Sequence, residues 1–268
     1  MKIVDANVKI TETFDADALV QHMNGPLLLG GRETRIEKAL VLNRAAFMDR
    51  QPPAGPQDYD RHHEWLLRQL SKYPDRLYPV MTLNPHFEAS HALDLLERLV
   101  REKGVRALKL HPTLHNYRPN DDVKLLAPVF ERCASLGIPV FMHTGDPFAE
   151  PTRIEAVAQA YRDTTLVMLH FGTQTVSFAV DAIAVTKRNP NVYLETSQAM
   201  FARLKEAARV LGPDRLIFGS DAAVNDIWGQ ATTVAALLHK PPLGVGMSEE
   251  DLAKIMGGNI AKLVRIPL

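Results

Sequence analysis

The chain has 268 residues, 46% of them hydrophobic, with 31 basic side chains against 31 acidic ones. That length allows one large α/β domain or two small ones, and a formal net charge of zero supplies no field for holding nucleic acid or an anionic membrane, so a small molecule is the expected partner. No apolar run approaches the roughly 18 residues of a membrane span and no charged-then-apolar leader is read ahead of the first strand, so the cytoplasm is the expected location.

The first β-branched run, KIVDANVKI, ends in two polar residues, Asn7 and Lys9. The segment MNGPLLLGGRETR follows; it lacks the glycine spacing of a phosphate-binding loop and reads as a flexible loop, from which Arg32 is a candidate to reach a substrate carboxylate. The second run, EKALVLN, closes on Asn43, and the proline-containing stretch MDRQPPAGPQDYD after it is a lid candidate. In the helix DRHHEWLLRQLSKY, His62 and His63 are adjacent instead of four apart, so they do not make a metal pair and read as solvated surface histidines. The third run, LYPVMTLN, closes on Asn84.

The fourth run, VRALKLH, places Lys109 and His111 on one face, and His115 and Tyr117 in the loop beyond are candidates for a pocket wall. Cys133, in a predicted helix, reads as a buried structural thiol. The remaining runs, IPVFMHT, TLVMLHF, NVYLETS and RLIFGSD, end in His143, His170, Glu195 and Asp221; alternation pairs Phe141 with His143, Met168 with His170 and Tyr193 with Glu195. Trp228, in the AAVNDIWGQ stretch after the last run, is a second lid candidate.

Eight strand runs alternating with helix-length amphipathic stretches predict a single (β/α)8 barrel over residues 1–268, with a doubly wound open sheet as the competitor. The polar ends favour the barrel, because it gathers all eight on one rim, where barrel enzymes place their chemistry. Two imidazoles and a carboxylate suit a divalent ion. The expected ligands are therefore His143, His170 and Asp221, with Glu195 and His111 in reserve; zinc is the first choice, and iron or manganese the alternatives. Asp221, His170 and His111 are the expected catalytic groups, and Lys9, Asn7, Arg32, Lys109 and His115 the expected substrate contacts.

The segments GVRALKLHPTLHNYRPND, GIPVFMHTGDP, LVMLHFG, NVYLETS, RLIFGSDA and DLAKIMGGNIAKLV resemble the amidohydrolase superfamily, more narrowly its amidohydrolase-2 branch of hydrolases, lactonases and decarboxylases. By that resemblance His143, His170 and Asp221 take ligand positions on the fifth, sixth and eighth strands, and His111 matches a rim histidine. Members of that branch end the first strand in His-x-His; here the same place reads Asn7-Val8-Lys9. The implied activity is metal-assisted hydrolysis of a small amide, ester or lactone. The alternatives are a metal-independent lactonase or decarboxylase with Lys9 as anion anchor, a non-haem iron oxygenase, and a non-catalytic binding barrel. A homo-oligomer is an expectation by analogy.

Overall fold

The computed structural model describes residues 1–48, 55–87, 89–173 and 175–268. Its strands are β1 (Ile3–Ile10), β2 (Leu27–Leu29), β3 (Arg32–Thr34), β4 (Ile36–Asn43), β5 (Leu77–Thr82), β6 (Ala107–Leu110), β7 (Val140–His143), β8 (Leu166–Leu169), β9 (Val192–Glu195) and β10 (Leu216–Ile217). Eight of them form one sheet in the order β1-β4-β5-β6-β7-β8-β9-β10, and every pairing within it is parallel. Parallel neighbours need crossover connections. The helices that supply them include α1 (Ala16–Met23), α2 (Ala45–Met48), α3 (Pro56–Leu70), α4 (Ala89–Lys103), α5 (Val123–Leu136), α6 (Pro151–Ala160), α7 (Val176–Arg188), α8 (Phe201–Leu211) and α9 (Ile227–Ala235).

The two sheet ends meet. Ala6 donates its backbone N–H to the Phe218 carbonyl at 3.1 Å, Asp221 donates to that of Asn7 at 2.9 Å, and Val8 forms a parallel bridge to Ala222. The sheet therefore closes into the expected (β/α)8 barrel. Helix ends follow local chemistry: Asp15 caps α1 by accepting from Ala18 N–H, Asp226 caps α9, and Gly137 ends α5 at φ 64°. Among the described residues no helix is long and apolar enough to cross a membrane.

Side-chain alternation splits the core into two clusters. Val4, Ala6, Leu40, Ala107, Phe141, Val167 and Ile217 belong to the one inside the barrel. Ile3, Val8, Leu108, Met142, Met168 and Leu194 join the helices outside it. The alternation breaks at two places. In β1 the register against β4 shifts between Asp5 and Val8, a bulge that follows the inward Ala6 with Asn7 and sends Val8 outward. Met168 faces the helices, so it does not share a face with His170; a left-handed turn at His170 and Phe171 (φ 67° and 54°) resets the direction after β8.

Two local expectations are corrected. The segment read as a flexible loop forms the antiparallel hairpin β2–β3, turning through Gly30 and Gly31, both at positive φ, the two-residue geometry that suits hairpin twist. His63 is not a surface residue: it is buried and accepts the Thr82 N–H at 3.2 Å. Cys133 is buried, as expected.

Candidate active site

The bulge in β1 and the turn after β10 together build the centre of the rim. Lys9 and Asp221, 3% and 1% exposed, form an ion pair between the Lys9 Nζ and Asp221 Oδ1. Asn7 Nδ2 also donates to Oδ1, at 3.4 Å, and Gln198 Nε2 donates to Oδ2 at 3.0 Å. His170 Nδ1 stands 3.7 Å from Oδ2. A carboxylate offers about four lone-pair positions, and these donors surround Asp221 on both oxygens.

Beside that pair runs a chain of hydrogen bonds. His170 Nδ1 lies 3.0 Å from Ser197 Oγ, and Ser197 Oγ donates to Glu195 Oε2 at 2.8 Å. Glu195 is held from two further sides by the backbone N–H groups of His170 at 2.9 Å and Ser197 at 2.6 Å. Burial pushes the Glu195 carboxyl up to about 7 against the opposing pull of those N–H donors, and the Asp221 charge adds to the rise. Burial and then Lys9 hold His170 well below the ordinary imidazole range, so its ring is neutral. Room for this arrangement depends on Gly219, where a Cβ would run into the Glu195 carboxylate. His170, Gln198 and Asp221 all have left-handed backbone (φ 67°, 61° and 62°). Such conformations cost non-glycine residues on the order of 1 kcal/mol each and cluster at functional sites.

A third group occupies the ends of β6 and β7. Lys109 is 1% exposed, and burial followed by the Lys9 charge lowers its pKa well below the usual lysine range. His111 and His143 stack with ring centroids 3.8 Å apart, and His143 meets His170 edge-on at 5.0 Å. Desolvation lowers the pKa of both His111 and His143. His143 Nε2 lies 3.1 Å from Asp146 Oδ2, while Asp146 Oδ1 accepts from Thr113 Oγ1 and the N–H groups of Phe148 and Ala149.

These contacts test whether the residues fit a divalent ion at the expected place. On the first strand an amide and an ammonium replace two imidazoles, and the Asp221 carboxylate already has a cation against it. The donors at the centre do not fit the implied ion. The described His, Cys, Asp and Glu groups whose ligand atoms all come within 4.8 Å of one another are instead His111, His143 and Asp146.

The expected site residues Asn7, Lys9, Lys109, His111, His143, His170, Glu195 and Asp221 gather at the rim. His115 adjoins them, buried, with Nε2 3.2 Å from the Tyr59 hydroxyl, and desolvation lowers its pKa to about 4. Arg32 is elsewhere. It is 77% exposed and paired with Glu249, in a hairpin whose Thr34 bonds the Met1 carbonyl, beside the start of β1 instead of its end. Of the lid candidates, residues 49–54 lie outside the described residues, and Trp228 stacks on His22 of α1 at 5.4 Å. Asn43 and Asn84 do ordinary turn work, accepting from Ala45 and His86 N–H. Sequence reading missed Ser197, Gln198 and Asp146. All three sit two or three residues past a strand-end residue already singled out, and a search of those short loops for polar side chains would have found them.

A closed parallel barrel with ion-paired and proton-sharing groups on its C-terminal rim defines a barrel enzyme. The amidohydrolase family pattern matches residues 36–266, and the chain belongs to that family of enzymes. No curated protein matches it in sequence. Among solved structures it is similar to 5-carboxyvanillate decarboxylase from Sphingomonas paucimobilis (14% identity over 99% of both chains, TM-score 0.71). It is also similar to 2,6-dihydroxybenzoate decarboxylase from Rhizobium (16% identity over 99% of both chains, TM-score 0.70). A third is dihydroxybenzoic acid decarboxylase from Polaromonas sp. JS666 with bound manganese and the inhibitor 2-nitroresorcinol (16% identity over 98% of this chain and 97% of the other, TM-score 0.69).

Proposed function

We propose that the protein is a carboxy-lyase that removes carbon dioxide from a small anionic carboxylate, of which hydroxylated aromatic acids are the first class to test. The observation that carries this reading is the Lys9 ammonium in the lumen, anchored on Asp221. Asp221 takes one of the three N–H donors of that ammonium, and the others are preorganised in a desolvated site to receive a substrate anion. Support comes from the decarboxylases with which the chain shares its fold over nearly its whole length. This alternative displaces hydrolysis as the main reading.

In the reaction the bond between the substrate carbon and its carboxylate breaks, the electron pair stays on that carbon, and a proton must arrive there. Glu195 keeps its proton up to about pH 7 and shares it with His170 through Ser197. With Glu195 protonated both bonds run the other way, from the Glu195 carboxyl to Ser197 Oγ and from Ser197 Oγ to His170 Nδ1, and His170 carries its proton on Nε2; as Nε2 gives that proton to the carbon, Nδ1 takes one from Ser197 and Ser197 takes one from Glu195. Lys9, Asn7 and Gln198 orient the leaving carboxylate. The Polaromonas enzyme carries manganese; His111, His143 and Asp146 are the described groups that would hold such an ion, which would add charge neutralisation at substrate oxygens, and zinc has no support over manganese.

The family's name favours a second reading, hydrolysis of an ester or lactone, in which the same relay protonates the leaving oxygen. Incubating the protein with 2,6-dihydroxybenzoate, 5-carboxyvanillate and a set of aryl esters and lactones separates the two. The proposal predicts carbon dioxide from a carboxylate, and hydrolysis of an ester or lactone without carbon dioxide from any acid would replace it.

A further inference from the structure

We infer that this chain holds a divalent cation between His111, His143 and Asp146, one strand away from the place the family resemblance assigns to it. His111 follows β6, His143 ends β7, and Asp146 lies three residues on in the same rim loop, with the ligand atoms of all three within 4.8 Å of one another. Two imidazoles and a carboxylate form a three-ligand set of the kind that leaves coordination positions open for water or substrate.

Charge decides between this position and the centre. At the centre the Lys9 ammonium is paired with Asp221, which Asn7, Gln198 and His170 also surround. A divalent ion there must displace an ammonium from its counter-ion. At the second position the nearest carboxylate faces an imidazole, not an ammonium. Asp146 is braced through Oδ1 by Thr113, Phe148 and Ala149, which points Oδ2 at His143. Such bracing of a ligand carboxylate orients it for an ion. Asp146 is also 25% exposed and His143 17%, which gives an ion a path from solvent that the 1% exposed Asp221 lacks. The two rings stack 13° from parallel, and binding one ion through both requires them to turn until their lone pairs converge.

The placement makes no assumption about substrate, and metal binding alone tests it. Chelator-stripped full-length protein is titrated with manganese chloride, following free Mn(II) by electron paramagnetic resonance, alongside Asp146→Asn, His111→Gln and Asp221→Asn. The expected result is about one ion per chain, weakened at least about tenfold by Asp146→Asn and His111→Gln and little changed by Asp221→Asn. Loss in Asp221→Asn with retention in Asp146→Asn overturns the proposal, as does a wild-type protein that binds no manganese. Anomalous scattering at the manganese edge from wild-type crystals gives an answer that depends on no variant's folding. A peak among His111, His143 and Asp146 supports the site, and a peak against His170 and Asp221, or none, refutes it.

Discussion

The Lys9 ammonium and the Asp221 carboxylate form a buried ion pair that ties the end of the first barrel strand to the turn after the last. The pair closes the barrel where its sheet ends meet and also supplies the charge on which substrate binding is proposed to rest. Removing one partner from a buried pair leaves the other uncompensated, at a cost of about 3–5 kcal/mol. Lys9→Met should lower unfolding free energy by that amount in urea titrations, and Lys9→Met/Asp221→Asn should recover most of it. Additive losses in the double variant would show that the two side chains are not coupled.

Glu195 predicts a pH dependence with a definite sign. Its folded pKa, about 7, lies above the ordinary 4.5, so the fold favours the protonated form. Its contribution to stability is complete below about pH 4.5 and is lost as pH rises through 7. Glu195→Gln is neutral throughout, so its stability relative to wild type should improve on the order of 2 kcal/mol between pH 5 and pH 8. Turnover by the wild type should fall above about pH 7, where the proton is gone, and that limb should be absent from the variant's profile.

Ser197 touches both Glu195 and His170 and positions neither by packing alone. Ser197→Ala breaks the relay between them. A kcat loss of about 10²-fold with little change in KM is expected, together with loss of the limb near pH 7. A changed KM with an intact pH profile would assign Ser197 to substrate binding instead.

His63 acts at the opposite end of the scale. Burial, with the His62 charge adding to it, lowers its pKa to about 3, below the unfolded 6.5. The folded chain therefore resists a proton that the unfolded chain accepts, and stability is lost as pH falls from 6.5 towards 3. His63→Gln keeps an acceptor for Thr82 N–H and should reduce the loss between pH 7 and pH 5 by about 2 kcal/mol. Equal acid sensitivity in the two proteins would mean that His63 protonates freely in the fold.

The barrel was legible because parallel strands and their crossovers leave a periodic record: runs with polar ends at Asn7, His111, His143, His170, Glu195 and Asp221. Which of those ends face one another was less so. Strict alternation failed at Asp5–Val8, where a bulge inserts a residue, and at His170, where a left-handed turn resets the direction; neither leaves a pattern that periodicity detects. His63 was misplaced because an adjacent pair of histidines within a helix carries no mark of which ring finds an acceptor role in the core. Arg32 was misplaced because Gly30–Gly31 folds its segment back beside the N-terminal end of β1. Asp146 and Ser197 act from short loops, which strand and helix periods pass over.

The most direct test of the lyase reading is carbon dioxide release from 2,6-dihydroxybenzoate and 5-carboxyvanillate labelled with ¹³C in the carboxylate, by manganese-supplemented wild type and by folded Lys9→Met. The account predicts labelled carbon dioxide from at least one acid, with the rate falling at least about 10²-fold in the variant. No label released from either acid, or an undiminished rate in Lys9→Met, would contradict it.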